Sequence, residues 1–209
     1  MRISVTTLEA FRLFMQPDQE WMTESELIAT IKGEFVPTPA VLLGRAFGKV
    51  LETPDRYRVP HGYQYGEYSF DDATMSPAFK LIDRRGVFEA KAGKTYGSID
   101  VIAKADHLLG AHLSEFKTTT GQFNFEKYAE SCQWRFMTEI FEPAVITYHV
   151  FILDDHDNGV MELRGTESFN LYPYPALHQD CCLLLKRLSD YVIAKGLAPL
   201  LRQRQADAA

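Results

Sequence analysis

Residues 112–119 read HLSEFKTT. In an extended chain, side chains two apart share a face, so Leu113, Glu115 and Lys117 point one way and His112, Ser114 and Phe116 the other. A glutamate and a lysine side by side on a strand are either a solvated charge pair or half of a reactive constellation, and the flanking sequence has to decide. Upstream, GVFEAKA (86–92) and YGSIDVIAK (96–104) also read as strands, with turns expected at GKT (93–95) and ADHLLGA (105–111). Three consecutive antiparallel strands are the simplest arrangement. If 96–104 and 112–119 are neighbours, Asp100 comes close to Glu115 and Lys117. Two adjacent carboxylates repel, and a shared divalent cation makes the arrangement favourable. A lysine beside them would orient or help to deprotonate a water, as in metal-assisted phosphodiester hydrolysis.

Outward from this block the chain alternates helices and strands. ISVTTLEAFRLFM (3–15) predicts a helix capped by Thr6 or Thr7, and a second helix runs from Trp21 to about Ile31. KGEFVPTPA (32–40) is a connection. PAVLLGRAFGKVLE (39–52) carries an apolar stripe at i, i+4, with Gly44 and Gly48 allowing close approach of another backbone. Residues 53–85 are rich in Pro, Tyr and Asp and show no period. After the block come a helix at FEKYAESCQWRFMTEIF (125–141), a buried strand at AVITYHVFIL (144–153), one or two strands between 159 and 174, and a C-terminal amphipathic helix at 175–201. This order predicts a single domain over 1–209 of mixed α/β (α+β) class: N-terminal helices in 1–52, a central mixed β-sheet with its helix in 86–175, the C-terminal helix, and a polar tail at 202–209.

With 209 residues, 46% apolar and 12% aromatic, the chain can bury a full core. No run approaches eighteen apolar residues and no signal-peptide pattern is visible, so a soluble, cytoplasmic protein with no membrane partner is expected. Cys132, Cys181 and Cys182 lack the spacing of a metal site or disulfide framework. The net charge of −6 argues against a partner bound merely by general attraction to a basic protein. The charge is uneven, however. Residues 80–135 carry 9 Lys/Arg against 7 Asp/Glu, whereas 1–79 carry 7 against 11 and 136–209 carry 6 against 10. A polyanion such as DNA would be held in the middle stretch, if anywhere.

GSID (97–100), EFKTT (115–119), the following helix with Gln133 in YAESCQWRFM (128–137), the opening ISVTTLEAF (3–11) and LGRAFGKVLE (43–52) together resemble the PD-(D/E)XK nuclease superfamily. The likeness is to the branch related to RecB, lambda exonuclease and exodeoxyribonuclease VIII, and it extends from about Ser4 to Leu201. It implies a restriction-endonuclease-like core and a metal-dependent DNA exonuclease, phage or prophage encoded, acting in recombination or repair. By the same resemblance Asp100, Glu115 and the main-chain carbonyl of Phe116 would bind Mg2+ or Mn2+. Lys117 would position and activate the attacking water. Gln133 would contact substrate or brace the site, with Tyr128 nearby. No nucleotide cofactor is implied; a single-strand annealing recombination protein and a homo-oligomer are the partners it suggests.

Three positions depart from the family pattern. Ile99 stands for the motif proline, Met137 for a tyrosine four residues after Gln133, and Gly48 for a helix histidine that often completes the metal site. Glycine cannot ligate, and Glu52 or His61 would have to substitute. The alternative is therefore a nuclease-fold module that binds DNA or protein without cutting. Other motifs read as ordinary structure. AGKT (92–95) lacks the earlier glycine of a phosphate-binding loop, DDHD (154–157) is expected to be a solvated loop, and Ser114 has no histidine–acid partner set.

Overall fold

The computed structural model describes residues 1–16, 22–156 and 159–203, with side chains to residue 201. Most of the expected tail, Trp21 at the start of the second expected helix, and Asp157 of DDHD lie outside these residues.

A short strand β1 (Arg2–Ser4) leads into α1 (Val5–Phe14). The cap is Ser4, whose side chain accepts from the Thr7 amide at 3.1 Å, rather than Thr6 or Thr7. Next come α2 (Glu24–Lys32), closed by Gly33 in the left-handed conformation, and α3 (Pro39–Glu52), which starts at the expected proline. The aperiodic stretch 53–85 folds into α4 (Pro54–Tyr57), three short strands β2 (Arg58–Val59), β3 (Gly62–Tyr65) and β4 (Tyr68–Phe70), and α5 (Asp72–Lys80). Strands this short carry too few residues for an alternation to show.

The central strands are longer than the sequence suggested. β5 (Val87–Tyr96) passes straight through GKT, and β6 (Ile99–Leu109) runs through most of ADHLLGA, before β7 (His112–Thr119). Their two turns are two-residue hairpin loops, Gly97-Ser98 and Gly110-Ala111, set by glycines at φ 60° and 57°. The expected helix at 125–141 is broken at Ser131 into α6 (Phe125–Ala129) and α7 (Cys132–Phe141). β8 (Val145–His156) carries Asp154, Asp155 and His156 in the strand rather than in a loop, and β9 (Val160–Leu171) is one strand. The C-terminal helix is interrupted near Gly196, giving α8 (Leu177–Ala194) and α9 (Ala198–Gln203).

The strands form one mixed sheet in the order β1-β6-β7-β8-β9-β4-β3-β2, with β5 on the other edge of β6. β1/β6, β7/β8 and β4/β9 are parallel and the other pairs antiparallel. One core cluster joins α1, α7 and α8 to β6–β8 through Leu8, Phe11, Phe136, Tyr148 and Leu185. The other joins α3 and α5 to β8 and β9 through Phe47, Val50, Phe70, Met75 and Phe151. Helices therefore cover both faces. Within this frame β6 has one peculiarity. Along one edge it pairs with β1 at 100–102 and with β7 at 107–109, and in the ladders of the described residues the stretch between pairs only with β5. Beyond Ser114, β7 parts from β6, while on its other edge it stays paired with β8 from His112 to Thr119. The sheet forks there.

Candidate active site

The fork is bridged by side chains in place of ladder hydrogen bonds. The Asp106 amide donates to Glu115 Oε1 at 3.2 Å, and the Phe116 amide donates to Asp106 Oδ2 at 2.8 Å. Each carboxylate thus satisfies a backbone donor that the diverging strands leave without a partner. Glu115 Oε2 accepts from Lys117 Nζ at 2.9 Å and from Gln133 Nε2 at 3.0 Å, while Lys117 also donates to Gln133 Oε1 at 3.1 Å. Glu115, Lys117 and Gln133 form a closed triangle, with the Asp106 backbone docked against it.

Glu115 is fully buried. Burial first and the Asp106 charge second push its carboxyl upward from the usual range, against the pull of Lys117. Burial alone would lower the Lys117 pKa, but Glu115 and Asp106 outweigh it, so the ammonium form is favoured. Lys117 lies 5.7 Å from the Tyr148 ring centroid, which adds a cation–π contact.

Gln133 sits in the first turn of α7, and α7 is fixed from α1. Glu9 Oε2 accepts from the Cys132 amide at 2.8 Å and from Ser131 Oγ at 3.0 Å, while Arg12 donates to Glu9 Oε1 at 2.7 Å. A carboxylate at a helix N-terminus is favourable. Burial raises the Glu9 carboxyl, but the Arg12 and Cys132 hydrogen bonds and the Arg12 charge more than offset it, and its pKa lies below the ordinary range.

On the α3 side of β7, Asp106 opens into a cleft of about 280 Å³ lined also by Gly48, Lys49 and Glu52 of α3, Glu89 of β5, Lys104 and Phe116. Glu89 faces Asp106 across the β5/β6 ladder at the one position where that ladder is interrupted, and it has φ 54°. A non-glycine residue there is strained, and its carboxylate pairs with Lys104.

The resemblance implied Asp100 as the partner of Glu115, and the structure separates them. Asp100 pairs in register with Arg2 and Thr95, and its carboxylate accepts from Thr95 Oγ1 at 2.7 Å. It lies six residues, roughly 20 Å, along β6 from Asp106. The physical reason is that ADHLLGA is strand as far as Leu109. A two-residue turn pairing Leu109 with His112 carries Asp106 opposite Glu115. Counting back from that turn was the signal available in the sequence.

No family model and no curated protein matches this chain. Among solved structures, a candidate exonuclease from Eubacterium rectale is similar over 93% of this chain and 81% of its own, at 11% identity and a TM-score of 0.51. The alkaline exonuclease of Laribacter hongkongensis is similar over 100% of this chain and 95% of its own, at 13% identity and a TM-score of 0.46. The same enzyme in complex with dAMP gives 14% identity and a TM-score of 0.48, over 99% and 94%. The chain shares the fold of the Eubacterium rectale structure, a mixed sheet flanked by helices.

Within that fold the remaining expected residues fall into three groups. Glu52 lines the Asp106 cleft but is held by Lys49 at 2.5 Å, and Gly48 lines it too, with no atom within 4 Å of where a Cβ would stand. His61 is in the turn between β2 and β3, exposed and outside the cleft lining. Tyr128 is 8% exposed and packs among Phe123, Tyr148 and Phe169. Met137 is buried in the core. Behind Phe116, His149 stacks on the ring at 5.9 Å, and burial together with His112 and His107 pushes its pKa down to about 4, which favours the neutral imidazole. Among the described residues no group of three or more His, Cys, Asp or Glu side chains is arranged to hold a metal. Among the described residues no helix is long and apolar enough to cross a membrane.

Proposed function

We propose that the chain is a divalent-metal-dependent deoxyribonuclease that degrades DNA from its ends. The observation that carries this reading is the Glu115 carboxylate, buried and held at once by Lys117, Gln133 and the Asp106 backbone, with a second carboxylate fixed at the mouth of the cleft.

The donor set suits a hard cation. Asp106, Glu115 and the Phe116 carbonyl offer oxygens only, as Mg2+ or Mn2+ prefers. Burial first and the Asp106 charge second raise the Glu115 pKa, and a cation held by the two carboxylates would offset the second of these. When bound, the cation supplies Lewis-acid polarisation of the phosphodiester. The chain's own residues do the rest. Lys117 uses two of its three N–H groups on Glu115 and Gln133, leaving one to orient a water or steady charge growing on a phosphate oxygen. Gln133 clamps both partners in position, and Glu9 holds Gln133 through the start of α7.

We further infer a phage- or prophage-encoded enzyme of the bacterial cytoplasm that prepares DNA ends for recombination or repair. A single-strand annealing protein and other copies of the chain are its suggested partners. A second reading, a binding module that no longer cuts, is favoured by Gly48 facing the cleft where a further ligand would fit.

The test is digestion of linear and circular duplex DNA with Mg2+, with Mn2+ and with chelator, using wild type, Asp106→Asn, Lys117→Ala and Asp100→Asn. Metal-dependent loss of linear DNA only, abolished by the first two variants and kept by the third, is expected. Equal loss of circles would make it an endonuclease, and no digestion at all would favour the binding module.

A further inference from the structure

Gln133 also lines a second cavity, of about 390 Å³, for which the hydrolytic reading has no use. Its walls include Thr6, Ala10 and Leu13 of α1, Met22 and Phe35. Phe35 is 46% exposed, and Val36 and Val41 follow it at 80% and 40%, so apolar surface continues along the 35–41 segment. The volume is in the range of small-molecule sites, roughly 300–1,000 Å³.

Two facts on either side of Gln133 say what belongs there. Its amide contacts Glu115 and Lys117, so a nucleotide whose phosphate lies at Lys117 has its base about one side chain from the cavity. Among the described residues that line the cavity the one charged side chain is Glu9, an anion, so the cavity does not suit a phosphate. A flat apolar ring system with polar edges is what remains of a nucleotide, and aromatic stacking accepts any base.

We propose that this cavity takes one unpaired nucleobase of the DNA strand being cut, stacked on Phe35 with Thr6 at its edge. The proposal rests on the nuclease reading and adds a substrate form to it: a frayed or single-stranded end, with little preference for base identity.

Oligonucleotides carrying 2-aminopurine at each of the last few positions would be titrated with protein in chelator. KM and kcat would be measured with Mg2+ on the same strands and on strands with an abasic residue at the responding position. Wild type should change the fluorescence at one position only. Phe35→Ala should abolish that change and raise KM about 5- to 150-fold with kcat nearly kept. Phe35→Trp should restore both, and Thr6→Trp, filling the cavity from an exposed position, should act like Phe35→Ala. The abasic strand should behave with wild type as the normal strand does with Phe35→Ala.

An enzyme that cuts DNA with KM and fluorescence indifferent to Phe35, to Thr6 and to the abasic residue overturns the proposal and leaves the nuclease reading standing. Phe35-dependent fluorescence in a protein that cuts nothing does the reverse. It keeps the base site and removes the nuclease.

Discussion

The two ends of β6 carry the same residue type in different surroundings. At its start, around Asp100, the strand is paired on both edges, with β1 on one side and β5 on the other. Further along, just before β7 joins at 107–109, the β1 edge is open, and Asp106 spends its backbone amide and its carboxylate bridging to β7. A carboxylate on a fully paired strand is one more surface charge. At a fork it is drawn against a second carboxylate, and both must be held there by other groups.

The comparison breaks most visibly in activity. Asp106→Asn and Glu115→Gln are expected to lower the initial rate on linear duplex DNA with Mg2+ by about 10²- to 10⁴-fold, the range for removing a positioned charged group. Asp100→Asn should stay within about threefold of wild type. Loss of activity in Asp100→Asn with retention in Asp106→Asn would return the site to the closed end of the strand.

The separation of Asp100 from Glu115 marks the limit of what the sequence shows. The triangle of Glu115, Lys117 and Gln133 was legible because a strand's period of two and one following helix bring its members together. The second carboxylate depended on whether ADHLLGA is a turn. Leu108, Leu109 and Gly110 look like turn material only until the hairpin is seen to need just Gly110 and Ala111. The sheet flanked by helices was legible from element order. The meander β2–β4 was not, because two- to four-residue strands leave no pattern. Glu9 was hidden for another reason: its partners, Ser131 and Cys132, lie more than 120 residues away.

Next in size is the effect of stranding the buried charge. Lys117→Met leaves Glu115 fully buried without its cation, which should cost about 3–5 kcal/mol in urea unfolding at neutral pH. Lys117→Met with Glu115→Leu should recover most of this, because the pair is then replaced by apolar packing. No recovery would mean that the Lys117 stem and its contact with Tyr148 matter more than the charge.

Glu9 offers a carboxylate whose role is structural. Glu9→Gln should cost about 1–3 kcal/mol, the scale of hydrogen bonds to a charged group. Because its folded pKa is depressed, the stabilisation is complete above the unfolded value, roughly pH 4.3, and is lost as pH falls through the lower folded value. The stability gap between wild type and variant should therefore be constant from about pH 6 to 8 and close in acid. A gap that widens in acid would reverse the assigned sign.

The smallest effect concerns Glu89, which faces Asp106 from β5 with φ 54°. Strain of this kind costs of order 1–3 kcal/mol, and glycine relieves it while adding freedom to the unfolded chain. Glu89→Gly should therefore gain a net of about 0.5–1 kcal/mol. Glu89→Gln keeps the backbone strain and removes the charge, and should leave stability within about 0.5 kcal/mol of wild type. If both variants lose activity by a similar factor, up to about tenfold, the carboxylate in the Asp106 cleft is what the strained backbone holds in place. If only glycine lowers the rate, it is the shape of the strand opposite Asp106 that matters. If neither does, the strain at Glu89 serves the Lys104 ion pair alone, and the open end of β6 needs nothing from its other neighbour.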